Sequence, residues 1–306
     1  MISFRHHAVS IAAVFLALAL GVVLGTRTHS DGFFPGSADK QRVDALTAEN
    51  TRLTEQLKAA DDFLTGSAAK VLAGSLGSKS VLVFTTPDAD NADADAVTNS
   101  LTAAGATVTG RVALTGAFTD SAEGDRLRTA LTNVVPAGAK LQIDAADQGS
   151  LGGDLLGQVL LTDPVSNQPR GTEQERGLAL ETLRGGGFLA FGEVHPAQLA
   201  VVVTGDGARA GENNRGTIIA RFAGGLRAHS AGVVLAGRHG AAEGPGPIAV
   251  ARDEAPLATI TTVDNVDHAI GRLTTVLGLT EQLNGGTGRY GTGARATSLT
   301  VAAMPR

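Results

Sequence analysis

Residues 199–204 read LAVVVT, and this short run decides the fold class. Continuous apolar, mostly β-branched residues over that length suit a strand buried on both faces, as in a parallel sheet covered by helices. Working outward, similar runs recur at Lys79–Thr86 (KSVLVFTT, stopped by Pro87), Ala231–Ala236 and Ala258–Val263, and Thr107–Leu114 alternates as a further strand. Helical patterns lie between them: Ala96–Ala104, closed by Gly105; Ser121–Val135, stopped by Pro136; Glu173–Arg184, ended by Gly185-Gly186-Gly187; Thr217–Ala228; and Asp264–Leu283, with Ile270, Leu273, Val276 and Leu277 on one side. Phe188–Phe191 is a shorter strand candidate, and Leu155–Leu161 is an apolar segment after a Gly-rich connection at Gly149–Gly153. The alternation predicts a Rossmann-like α/β domain over residues 70–283 with a mostly parallel sheet. A break near residues 145–170 could divide it in two, but one compound domain is the expectation. Residues 284–306 read as a Gly-rich C-terminal tail or docking strand.

Upstream of this domain the character changes. Ala8–Thr26 (AVSIAAVFLALALGVVLGT) carries no charge and is long enough to cross a bilayer core of about 30 Å as a helix. Residues 1–27 are therefore read as a transmembrane anchor or signal. Ala17-Leu18-Ala19 offers a cleavage pattern for a secreted form, while the apolar continuation through Leu20, Val22, Val23 and Leu24 favours an uncleaved anchor. The export-like order of Arg5 and then the apolar run places the N-terminus inside and the bulk of the chain outside the cytoplasm. Gly21 and Gly25 form a GxxxG that lets two spans approach closely.

A stalk follows over residues 37–66. Its apolar spacing is Val43, Leu46, Asn50, Leu53, Leu57, Ala60, Leu64, alternating steps of three and four, which is the a/d seam of a short coiled coil. Asn50 at an a position costs stability but fixes a parallel, in-register dimer. Tethering two copies in one membrane offsets the shortness of the seam. The competing expectation is an amphipathic helix that lays the same stripe on its own domain. Thr47, Thr54 and Gln56 at e and g encode little partner choice.

Composition excludes several classes. The net charge is −5, so no basic footprint for nucleic acid is present. The chain has no Cys, hence no disulfide and no thiolate metal site, and its Met residues stand only at 1 and 304. Aromatics make up 4% with no Trp, unlike the aromatic girdles of a membrane β-barrel.

Candidate chemical sites are weak. Asp88, Asp90, Asp93 and Asp95 lack the spacing of a calcium loop and read as a solvated helix entry. Gly205–Ala210 matches a relaxed G-x-G-x-x-A after a strand, yet the helix does not open on the glycines, so a surface turn is expected. His195, beside Glu193 and Pro196, is the most site-like histidine, and no pair of histidines has helical metal spacing. No catalytic residue, cofactor site or enzyme activity is expected.

The opening MISFRHHAVSIAAVFLALALGVVLGT, the heptad stalk and the segment GGTGRYGTGARATSL (Gly285–Leu299) together resemble the actinobacterial MctB-like family. The resemblance covers essentially the full chain. It implies a cell-envelope protein with a role in copper efflux and copper homeostasis at the mycobacterial outer membrane, with copper ions as a partner. A corynebacterial SteB-type member implies a different role: a dimeric membrane-anchored scaffold for envelope remodelling and daughter-cell separation in cell division with a SteA-like partner. The resemblance supplies no copper ligand, so the metal site stays unknown. By sequence the anchor belongs in an inner membrane; by family description the protein belongs in an outer one.

Overall fold

The computed structural model describes residues 37–136, 147–207 and 214–302. The chain divides into two compact units, Met1–Ala60 and Asp61–Arg306. The anchor expected over residues 1–27 lies outside the described residues, among which no helix is long and apolar enough to cross a membrane.

Helix α1 spans Ser37–Leu72, beyond the end expected at 66. In the first unit every described side chain from Asp39 to Ala60 is exposed. Asp39 lies in its first turn and Lys70 in its last, both favourably placed for the helix dipole.

The second unit continues with β1 (Ser80–Thr85), α2 (Asn91–Ala103), β2 (Thr107–Leu114), α3 (Gly124–Thr132), α4 (Gln148–Leu160) and α5 (Glu173–Gly185). It then runs through β3 (Leu189–Phe191), β4 (Leu199–Val203), α6 (Arg215–Arg227), β5 (Gly232–Ala236), α7 (Pro247–Asp253), β6 (Thr261–Val263), α8 (Ala269–Leu283) and β7 (Arg289–Tyr290). The sheet has seven strands in the order β3-β2-β1-β4-β5-β6-β7. All its pairings are parallel except that of β2 with β3. The run LAVVV is the central strand β4, buried at every residue, and Val201 pairs with Val83 on one side and Val234 on the other.

Burial on both faces explains why these strands are continuously apolar. In β1, Leu82 and Phe84 belong to one core with α3, α4, α5 and α6, while Val81 and Val83 belong to the other with α2, α8 and the end of α1. Phe222 stands edge-on to both Phe84 and Phe118, with ring centroids 5.3 and 5.4 Å apart, anchoring α6 in the first core.

Four sequence expectations need correction. The supposed connection at Gly149–Gly153 is the first half of α4, not a loop. Its glycines are there because α4 and α6 cross backbone to backbone: a Cβ on Gly153 would lie 2.1 Å from the Phe222 carbonyl oxygen. Helix α2 starts at Asn91, not Ala96, because the Asp90 carboxylate accepts the Ala92 amide at 2.8 Å and caps it. The strand expected from Ala258 is cut to Thr261–Val263 by a 3-10 turn at Ala255–Leu257. The final helix begins at Ala269 because Asp264 is wholly buried in an ion pair instead of lying in a first turn. Of the 284–306 segment, Arg289–Tyr290 adds a seventh strand beside β6, so the docking alternative describes its start.

Candidate functional site

The expected dimer seam lies along α1. Val43, Leu46, Leu53 and Leu57 are 61%, 70%, 51% and 49% exposed, and Asn50 and Ala60 are exposed too. Leu64 is half-buried and packs against the core. Of the nine exposed large apolar side chains among the described residues, six are on α1, with Phe63 and Val71 joining the four seam residues. Scattered exposed leucines need no explanation; here the exposed apolar side chains share one helical stripe. Between seam positions, Arg52 forks onto Glu49 with Nε at 2.9 Å, and this contact holds the Glu49 carboxyl below its ordinary range.

From Asp61 onward the helix is fastened to the α/β unit. The Asp61 carboxylate accepts the Ala269 amide at 3.0 Å and lies 2.9 Å from His268 Nδ1, capping α8. Leu72 is fully buried in the second core, with Leu64 and Ala68 packed against it. Beside this attachment lies a pocket of about 270 Å³ whose apolar walls include Leu64, Ala68, Ala96, Ala103 and Leu273, with Arg272 also lining it.

The other place to look in a parallel α/β sheet is the crevice at the carboxyl ends of the strands where the winding reverses. Here that point lies between β1 and β4. Beside it the Asp88 carboxylate accepts the Thr86 hydroxyl at 2.5 Å, the Thr204 hydroxyl at 3.3 Å and the Gly207 amide at 3.2 Å. A dinucleotide would bring its pyrophosphate to amides of that kind; a carboxylate already satisfies this one. Residues 208–210 of the expected turn lie outside the described residues.

The other aspartates of this region, Asp90 at the cap and Asp93 and Asp95 in α2, are likewise engaged within the protein. Asp90 and Asp93 both accept from Arg238, at 2.7 Å each, and Asp95 accepts from Arg111 at 2.7 Å. Its hydrogen bond to Asp93 and the nearby negative charges raise the Arg238 guanidinium above its ordinary value. His195 pairs with Glu193 at 3.1 Å on the surface. His229 is the better-positioned histidine, with Nε2 on Asp154 and Nδ1 2.7 Å from Arg170, so an arginine stands where a nucleophile would. Among the described residues, no group of three or more His, Cys, Asp or Glu is poised to hold a metal ion.

The distinctive C-terminal segment is held by a buried pair. Arg252 and Asp264, both without exposed side-chain surface, meet at 2.7 Å. Arg252 also donates to Thr262, Ala294 O and Tyr290 O, while Asp264 accepts the amides of Thr292 and Gly293. Gly291 (φ +124°) is required here, since a Cβ would lie 2.1 Å from Asp264 Oδ1. Burial pulls the Arg252 guanidinium below its ordinary value and the Asp264 contact opposes this. The Tyr290 hydroxyl donates to Glu281 at 2.8 Å, and burial together with Glu281 pushes its ionisation well above the ordinary value. Thus the stalk attachment and the tail both rest on α8: Asp61 at its first residue, and Tyr290 on Glu281 near its end.

A family model described as "Copper transport outer membrane protein, MctB" matches residues 1–301, from the first residue through the docked tail. The chain belongs to the MctB family. A relative from Mycobacterium tuberculosis (strain ATCC 25618 / H37Rv), named Copper transporter MctB, is 40% identical over 312 residues, 98% of this chain and 99% of that protein. One from Mycobacterium leprae (strain TN), with the same name, is 42% identical over 315 residues, again 98% and 99% of the two chains. The similarity therefore spans the MctB stalk, α/β unit and tail together.

Phe63, at g, is a further exposed apolar side chain of α1 outside the a/d count. The Arg252–Asp264 pair had no local signal, because the partners belong to different elements.

Proposed function

We propose that the protein serves copper handling at the cell envelope, as a membrane-anchored dimer that presents two α/β units outside the cytoplasm. The observation that carries the copper role is the near full-length similarity to relatives named copper transporters. The dimer rests on the exposed a/d stripe of α1, which a second helix would cover. The anchor rests on the uncharged run at residues 8–26.

The chemistry of the chain favours a scaffold over a carrier. Copper(I) selects thiolate and thioether ligands, and this chain has no Cys and Met only at 1 and 304. One span and a water-facing α/β unit also do not make a pore, which takes several helices or a closed barrel. The dimer thus acts by holding or organising envelope components that handle copper, and it is not an enzyme.

The exposed stripe supports a second reading, in which it recruits a SteA-like partner for envelope remodelling and daughter-cell separation. Complementation of a deletion strain separates the two. Wild type should restore copper tolerance and Leu53→Asp should not, with both present in equal amounts in the membrane fraction. Unchanged copper tolerance with defective cell separation would favour the second reading. Rescue of both by Leu53→Asp would remove the seam from either.

A further inference from the structure

Four charge-bearing groups meet in a row where α4, the end of α6 and the loop of residues 162–171 come together. His229, two residues past α6, lays its ring on Gly157 of α4, where a Cβ would lie 2.9 Å from the ring Cδ2. Its Nε2 contacts the Asp154 carboxylate, and its Nδ1 lies 2.7 Å from Arg170 Nη1. Arg170 reaches on through Nη2 to Asp163 at 3.1 Å. A guanidinium can only donate, so Nδ1 accepts and the ring proton sits on Nε2, facing Asp154. This row of contacts is therefore built for the neutral imidazole alone.

We propose that His229 is an acid-released latch for this loop: the neutral ring holds Arg170, and a proton taken from solvent onto Nδ1 lets it go. That proton sets an N–H donor against an N–H donor and a cation against a cation. The four groups then sort into two ion pairs, His229 with Asp154 and Arg170 with Asp163, and the link between the pairs is lost. Asp163 is ready to keep the arginine. The Ser166 amide, Arg170 and the Val165 amide hold its carboxyl at about 2, so it stays ionised in mild acid. The loop is braced to move as one piece: Asp163 N donates to Gln168 O at 2.9 Å, Asn167 N donates to Asp163 O at 2.8 Å, and the Asp163 carboxylate accepts the Val165 and Ser166 amides. It carries Val165, 94% exposed, so unlatching changes how an apolar side chain is presented. Neighbouring charges are engaged elsewhere: Arg227 of α6 donates to Thr259 O and Ser230 O, and Glu175 of α5 accepts from the Thr172 cap. The latch lies within one copy of the chain and does not depend on the dimer.

The chain has no Cys, so Gln168→Cys carries a single nitroxide label on the loop. Its paramagnetic resonance spectrum is recorded on the full chain in detergent micelles from about pH 8 to about pH 5, the range in which histidine ordinarily changes charge. The expected result is a slow label at the alkaline end and reversible, several-fold faster motion at the acid end. His229→Gln should abolish the transition, because its amide takes up no proton there. Arg170→Gln should leave the label fast at both ends, with circular dichroism confirming that each variant is folded. A label whose motion ignores pH overturns the latch, and so does a transition that survives in His229→Gln. Should His229→Gln fail to fold, Arg170→Gln decides alone: a pH response kept without the guanidinium overturns the latch, and its loss supports it.

Discussion

The stalk helix and the C-terminal tail place their residues opposite to ordinary expectation. Leu46, Leu53 and Leu57 of α1 lie open to water, whereas a glycine-rich, charged tail sinks its main chain onto a buried arginine and aspartate. The tail is finished within one chain: Arg252, Asp264, Tyr290 and Gly293 satisfy each other. The stripe is not finished within one chain, because among the described residues nothing covers Val43, Leu46, Leu53 or Leu57. The difference separates residues that hold one copy together from residues whose partner, under the proposed function, is a second helix.

That contrast gives a descending order of effects on the stability of a single α/β unit. Arg252→Met should be the most damaging, costing about 3–5 kcal/mol in urea unfolding, since it leaves Asp264 buried and charged. Converting both partners, Arg252→Met with Asp264→Leu, should recover part of that loss. Gly291→Ala comes next, about 1–3 kcal/mol, with the tail newly open to cleavage after Arg289 and Arg295. Equal protease resistance in this variant would contradict the docked tail.

Alkaline titration should have a milder effect. Tyr290 is the chain's one tyrosine, so its phenolate absorbance reads this site alone. Its folded-state value lies above the unfolded value of 10.0, so its contribution is present below pH 10 and lost as pH rises through the folded value. Glu281→Gln should bring the transition back toward the ordinary range. Smallest of all, Leu53→Asp should leave the unfolding of the α/β unit within about 0.5 kcal/mol of wild type, because its side chain touches no core.

The strands were legible because burial on both faces writes an unbroken apolar run, as in Leu199–Val203 and Ser80–Thr85. The helix that carries Val43 to Leu64 was legible because its apolar spacing is a local period. Helix α4 was not, because Gly149, Gly152 and Gly153 answer to neighbouring residues far away in the chain, Ile218, Phe118 and Phe222, and so break the helical pattern locally. The Asp88 contacts at the switch point were hidden for the same reason: Asp88 and Gly207 meet only once β1 and β4 are side by side. Arg238 and Arg111, the partners of Asp90, Asp93 and Asp95, could not be named from the spacing of the acidic residues alone.

The most direct test of the central claim uses the chain's lack of cysteine. A single Leu57→Cys, placed at an a position of the seam, is oxidised in native membranes beside Glu55→Cys on the outer face of α1. A parallel, in-register dimer predicts a disulfide-linked dimer from Leu57→Cys and little from Glu55→Cys. Equal crosslinking at both positions, or none at Leu57→Cys, would contradict it.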